Sequence, residues 1–185
     1  MNRNPIISIY SAITPALWFC FLLIIVAAFS RLVPHPSNFT PIGALGLFAG
    51  TYLRMRRFWL VPLAALLLSD LFIGFYYPVT MASVYLAFFI CALMGRVVLS
   101  EHRSVLRVAA TTLLASALFL VLSNFGDWLS GFNYSRDWNG LVECYVMAIP
   151  FFSNTLTGDL FYVTLLLGTY EIVGQWLVRQ IMRTA

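Results

Sequence analysis

The stretch Pro34-His35-Pro36-Ser37-Asn38-Phe39-Thr40-Pro41 carries an imidazole, a carboxamide and a hydroxyl between two strongly apolar runs. Its prolines lack an N–H and restrict the residue before each, so no helix runs through it unbroken. His35 could meet a metal, a carboxylate or a substrate carbonyl; it could equally be held for local structure. Asn38 and Thr40 add a polar donor and acceptor set to the same loop. Asp70 closes the run Leu60–Leu68 and is followed by Leu71-Phe72-Ile73. A carboxylate so placed costs several kcal/mol unless it is paired or faces water. It is therefore either a site or gate residue in a cavity, or a structural partner for Arg31 or a helix end. Asp159 follows Thr155, Thr157 and Gly158 at the start of the last apolar run. Negative charge suits a helix N-terminus, with Ser153 or Asn154 as N-cap, and that explanation suffices for it.

A second polar group lies between Gly126 and Gly140. Phe125, Trp128, Phe132, Tyr134, Trp138 and Tyr145 alternate there with Asn124, Asp127, Asn133, Arg136 and Asp137. An apolar lining with a few directed polar groups is the recipe for a small-molecule pocket or lid. An interfacial aromatic belt is the competing reading. Tyr76 and Tyr77 sit in a shorter turn, Gly74–Thr80. On the apolar runs, Ala12 and Ala16 fall at i and i+4, and Gly43, Gly46 and Gly50 repeat the pattern. Small residues at this spacing let helix backbones approach, within the chain or against a partner.

The elements that must position these groups are apolar. The chain of 185 residues is 61% hydrophobic and 10% charged, with a mean hydropathy of +0.88. Soluble domains are about half apolar and about a quarter charged. The pattern predicts one all-α integral membrane domain over the whole chain. Six spans are expected, at Tyr10–Val33, Phe39–Leu53, Phe58–Phe75, Val79–Leu99, Val105–Phe125 and Thr155–Ile181. The second is short and glycine-rich, tilted or re-entrant. A separate surface helix, Leu141–Phe152, is expected before the last span. Trp18–Phe29 resembles a signal-peptide core, yet the run to which it belongs is long for one and suits a full span.

Charge gives the orientation. Of eleven basic residues, all arginine, nine fall in the termini or even-numbered loops, leaving Arg31 and Arg136 on the other face. The positive-inside rule then puts both termini in the cytoplasm and the loops bearing His35, Tyr76 and Trp128 outside, at the end of one bundle. The net charge of +4 reads as insertion signals and not as a nucleic-acid surface, because no basic tract is long enough. Cys20, Cys91 and Cys144 are odd in number and form no CxxC, so neither a disulfide framework nor a zinc site is suggested. No GxSxG, HExxH or P-loop occurs, and no cofactor or metal is called for.

The strings RLVPHPSNFTPIGALGLFAG, LLLSDLFIGFYYP and AIPFFSNTLTGDL resemble an uncharacterised family of small bacterial membrane proteins of transport type. That family is similar to the S components of energy-coupling-factor (ECF) transporters, which capture vitamins and related micronutrients. The resemblance implies an S-component-like bundle in the bacterial inner membrane. Its outward loops would hold a small molecule through His35, Asn38, Thr40, Asp70, Tyr76, Tyr77, Asn124, Asp127, Trp128, Tyr134, Arg136, Trp138 and Asn154. It also implies a transmembrane coupling subunit with cytoplasmic ATPases, docked on the AxxxA face of Ala12 and Ala16; Pro15 inside that motif departs from the pattern. Some cobalamin carriers ligate cobalt through a cysteine, and here Cys144 would have to serve. Two other functions fit the residues. One is a membrane enzyme acting on a lipid or isoprenoid head group, with His35 and Asp70 as acid and base. The other is a non-catalytic assembly or scaffold protein, which would enclose no polar-aromatic cavity.

Overall fold

A computed structural model describes residues 5–184 of the chain, with side chains over residues 18–173. Six α-helices and no strand occur among the described residues: α1 Pro5–Ser30, α2 Ile42–Tyr52, α3 Leu60–Ile73, α4 Pro78–Met94, α5 Val105–Ser130 and α6 Trp138–Thr184. The chain alternates direction between two ends. At one end, here the loop end, Arg31 after α1 meets Asp70 near the end of α3, and Tyr77 before α4 stacks on Phe132 after α5. At the other, Arg96 donates to the Leu53 carbonyl and Arg103 pairs with Glu171.

The centre of the bundle is α2. Ten consecutive residues, Ile42 to Thr51, are buried. A helix that is apolar all round must be covered on every side, and α1, α3, α4, α5 and α6 all pack on it. The glycines make this cover close. A β-carbon at Gly50 would collide with the Ala92 carbonyl of α4, and one at Gly95 would collide with the Leu47 backbone. Gly95 opens a π-helical turn, Gly95–Leu99, that ends α4. Thr51 hydroxyl donates to Leu47 O at 2.7 Å and approaches Gly95 O at 3.4 Å, sealing the same contact.

Among the described residues three helices are long and apolar enough to cross a membrane: Pro78–Leu99, Val105–Ser130 and Trp138–Val173. Ile42–Tyr52 and Leu60–Ile73 are shorter apolar helices, and Trp18–Ser30 is the apolar part of the 26-residue α1 over which side chains are described. The expected six spans are thus corrected: six helices form, of which three, among the described residues, are long and apolar enough to cross. Eleven residues of α2 rise about 16 Å, roughly half a hydrocarbon core. Hydropathy could not see this, because Leu32, Val33, Phe39 and Leu53 are apolar enough to extend the runs past the true helix ends. Arg31 and Leu32 N–H groups bond back to Ala28 and Phe29 carbonyls and close α1 as a tight turn.

The expected surface helix Leu141–Phe152 is corrected too. It is the first part of α6, which continues through Pro150 without a break. The polar segment is shorter than expected because α5 runs on to Ser130. Gly126 continues that helix where Ser83 of α4 would meet any β-carbon. Gly131, at φ +70, supplies the left-handed residue that stops it. Asp137 then starts α6, its Oδ1 accepting the Gly140 N–H at 2.8 Å and the Ser135 hydroxyl at 3.0 Å.

Two outcomes follow from this packing. Gly50→Ala should lower stability by about 1–3 kcal/mol through overpacking, read by thermal unfolding of detergent-purified protein. Gly168→Ala, with nothing within 4 Å of its new carbon, should be neutral or stabilising. Asp137's carboxyl is held below its usual range, by the Gly140 N–H first and then by Ser135. A depressed folded pKa means that the cap is complete above the unfolded value, about pH 4, and is lost as pH falls through the folded one. The protection factor of the Leu141 amide, whose N–H bonds to Asp137 O, should therefore fall on acidification below about pH 4 and hold between neutrality and that point.

Candidate functional site

The loop between α1 and α2 does not stand clear of the bundle. Phe39 lies across α6, with ring centroids 5.5 Å from Tyr162 and 6.0 Å from Phe161. Gly158 is the seat, since a β-carbon there would press on Phe39. Asn38 takes φ +64 to make the turn, a conformation that asparagine tolerates better than most residues. Because α2 is short, its N-terminus and this loop come to rest at mid-length of α6, while α5 and α6 continue beyond them. The space left is a cavity of about 300 Å³ lined by residues from the first loop and from α2 to α6, with Arg31, His35, Asn38, Thr40, Tyr76, Thr155 and Asp159 as its polar members. Ile42, Leu66, Val84, Phe88 and Phe119 form its apolar wall.

Asp159 is the residue that sequence reasoning placed wrongly. It is not at a helix start, because α6 begins at Trp138. It is 8% exposed, and its Oδ2 accepts the Ser116 hydroxyl of α5 at 2.7 Å. Its carboxylate lies against Gly43 in the first turn of α2, so that no side chain fits there. Pro41 precedes that turn and offers no side-chain cap. A carboxylate from another helix thus stands at the positive end of the α2 dipole. The signal that could have found it was the pair of glycines: Gly158 beside the aspartate and Gly43 opposite it.

Asp70 resolves to its structural alternative. It is 1% exposed. Its Oδ1 accepts Arg31 Nη1 at 2.8 Å and its Oδ2 accepts the Tyr85 hydroxyl at 2.9 Å. The same Nη1 reaches Ser69 Oγ and the Leu66 carbonyl. Asp70 therefore acts behind the cavity wall, holding Arg31 in it. His35 lines the cavity, with Nδ1 2.9 Å from the Pro36 carbonyl. That carbonyl can only accept, so Nδ1 carries the proton and Nε2 keeps its lone pair when the ring is neutral. Tyr76 lies in the α3–α4 turn. Burial first, then the Asp70 charge, push its hydroxyl up to about 12 against the opposing pull of Arg31, so it remains a donor at neutral pH.

A second cavity of about 280 Å³ adjoins the first, sharing Asn38, Val84, Phe119 and Thr155 with it, and adds Thr80, Asn124 and Asp127. Asp127 accepts from Thr80 at 3.4 Å and from Asn133 at 2.9 Å. The structure thus brings together His35, Asn38, Thr40, Tyr76, Asn124 and Asp127. The remaining expected residues line neither cavity. Tyr77 is stacked on Phe132 at 3.8 Å. Trp128 donates to the Asp137 carbonyl, and Arg136 to the Ser130 carbonyl. Trp138 is largely exposed, and Tyr134 and Asn154 are half-buried elsewhere. Cys144 is buried with its thiol 3.3 Å from the Asn124 carbonyl, outside both cavities. Ala12 and Ala16 lie outside the residues whose side chains are described. At the opposite end a groove of about 500 Å³ runs between α5 and α6, mostly apolar, with Tyr52, Arg103 and Glu171 at its mouth.

Fold and site together define an all-helical chain, with helices of membrane-crossing length, that encloses a polar-and-apolar cavity near one end. The chain belongs to DUF6580, a family of unknown function, whose model matches residues 11–181. No curated protein and no solved structure matches it.

Removing Arg31 tests the wall. Arg31→Leu leaves a buried carboxylate without its cation and should cost about 3–5 kcal/mol. The double variant Arg31→Leu/Asp70→Leu should be more stable than Arg31→Leu alone, in chemical unfolding of the detergent-solubilised protein.

Proposed function

We propose that this chain is an integral protein of the bacterial cytoplasmic membrane that binds a small micronutrient from the outer side and serves its uptake. The observation that carries the reading is the cavity at the loop end. It combines an apolar wall with convergent polar groups, and at about 300 Å³ it falls at the small end of the range for ligand sites.

Two further features support membrane residence. Large apolar side chains face outward on every helix except α2: Trp18 and Phe21 on α1, Phe72 on α3, Leu86 on α4, Leu114 on α5 and Phe161 on α6 are half exposed or more. Water would penalise so much contiguous apolar surface, whereas lipid would not. Arg54, Arg56, Arg57, Arg96, Arg103 and Arg107 gather at the end opposite the cavity, which makes that end and both termini cytoplasmic. The shorter helices α2 and α3 are then accommodated by local thinning of the bilayer or by burial against their neighbours, giving the six-helix, S-component-like bundle.

In this role the chain performs no covalent step. Asp70 and His35 are each engaged by separate partners, which disfavours an acid–base pair acting on a lipid head group. A cavity with convergent polar groups likewise disfavours a pure scaffold. Movement of the bound molecule comes from a partner, a transmembrane coupling subunit with cytoplasmic ATPases docked at Ala12 and Ala16, or from toppling of the bundle.

The test is binding of a vitamin and cobamide panel to the purified protein, together with growth of a deletion strain under limitation for each compound. At least one compound should bind with a Kd in the micromolar range or tighter and should restore the corresponding growth defect when supplied in excess. No binding across the panel, with no growth defect, overturns the proposal.

A further inference from the structure

The chemical class of the bound molecule follows from the charges around the cavity; this rests on the binding reading above and narrows it. The two adjoining cavities are faced by Arg31 after α1, His35 in the first loop, Tyr76 before α4, Asp127 of α5 and Asp159 of α6. Asp70 of α3 stands behind Arg31 and is joined to it at 2.8 Å. Those two charges cancel. Tyr76 is a neutral donor, and neutral His35 offers a lone pair at Nε2.

Two carboxylates remain, and neither takes part in an ion pair among the described residues, where Arg31–Asp70 and Arg103–Glu171 are the pairs found. Asp159 is held by the Ser116 hydroxyl. Asp127 is held by the Thr80 hydroxyl and the Asn133 amide. All three partners are neutral. The α2 N-terminus contributes about half a positive charge, less than the carboxylate facing it. Among the described residues no three His, Cys, Asp or Glu side chains come together to chelate a metal ion. The apolar wall next to Asp159 includes Phe88 and Phe119, with ring centroids 4.9 Å apart.

We infer that the cavity receives a small organic cation, a protonated amine or ring nitrogen on an apolar body, with the nitrogen against Asp159 and the body against Phe88 and Phe119. Asp159 is then the residue that selects the ligand by charge, and Ser116 orients its carboxylate.

The experiment uses the full chain in detergent at about pH 8, where carboxylates are ionised and benzylamine is still protonated, and three probes of nearly equal shape: benzylamine, benzyl alcohol and benzoate. Affinity is read by calorimetry and by the shift in melting temperature. Benzylamine should bind at least about tenfold more tightly than either of the others, a difference of about 1.4 kcal/mol. Asp159→Asn should bring benzylamine down to the affinity of benzyl alcohol and leave benzyl alcohol unchanged. Benzoate or benzyl alcohol binding as well as benzylamine, or no probe binding, overturns the inference. So does an Asp159→Asn protein that keeps the preference. Because that variant removes a buried group and can fail to fold, the wild-type series decides the matter without it. A neutral or anionic vitamin bound in this cavity would overturn the charge assignment and leave the uptake reading intact. Benzylamine selectivity with no micronutrient binding and no growth defect would do the reverse.

Discussion

The whole bundle depends on burying one short helix completely. The ten buried residues of α2 can form a core element because α4 and its π-helical end approach it at backbone distance, and glycine makes that approach physically open. Gly50 accepts the Ala92 carbonyl, and Gly95 accepts the Leu47 backbone. Packing of this kind is dense and directional, so small additions of volume are felt. It also sets the relative heights of the other elements, since the two ends of α2 fix where the first loop and the Tyr52–Arg103–Glu171 cluster sit.

The site is a consequence of that height. An eleven-residue helix cannot carry the chain as far as the 26-residue α5, so the loop before it lies inside the bundle and not on its rim. Phe39 on Gly158 and Asp159 on Gly43 are the two contacts that hold it there. Both use a glycine on one partner to accept a larger group from the other. The polar groups of the first loop consequently face the middle of α5 and α6, where Ser116, Thr155 and Asp159 are, instead of the aromatic segment after α5. Arg31 is drawn into the same wall by Asp70, with Tyr85 holding the second carboxylate oxygen. Every polar atom of this arrangement that is buried has a partner, as a low-dielectric interior requires.

The aromatic segment illustrates a different rule. Trp128, Arg136 and Asp137 look like site residues because polar and aromatic side chains alternate there. Their hydrogen bonds are instead local, closing the α5–α6 turn on itself through the Asp137 and Ser130 carbonyls. Alternation in a short connection reflects the need to satisfy turn backbone as readily as it reflects a ligand. Asn124 and Asp127, which lie about two turns and one turn back from the end of α5, are the members of the set that reach a cavity. Residue type alone did not separate the two groups.

Composition and apolar periodicity determined that this chain is helical, that its helices are apolar enough to suit lipid, and that the His35 loop, the Tyr76 turn and Asp127 share one end. These follow from local chemistry: proline breaks helices, arginine clusters mark turns, and side-chain transfer energies add along a run. Tertiary structure alone decided that α2 and α3 fall short of span length, that Pro150 does not interrupt α6, that Asp70 belongs to Arg31, and that Asp159 faces the cavity. Each of these depends on which backbone lies opposite which. Gly43 and Asp159 are separated by more than a hundred residues of chain, and no local pattern records that a missing β-carbon at one makes room for a carboxylate at the other.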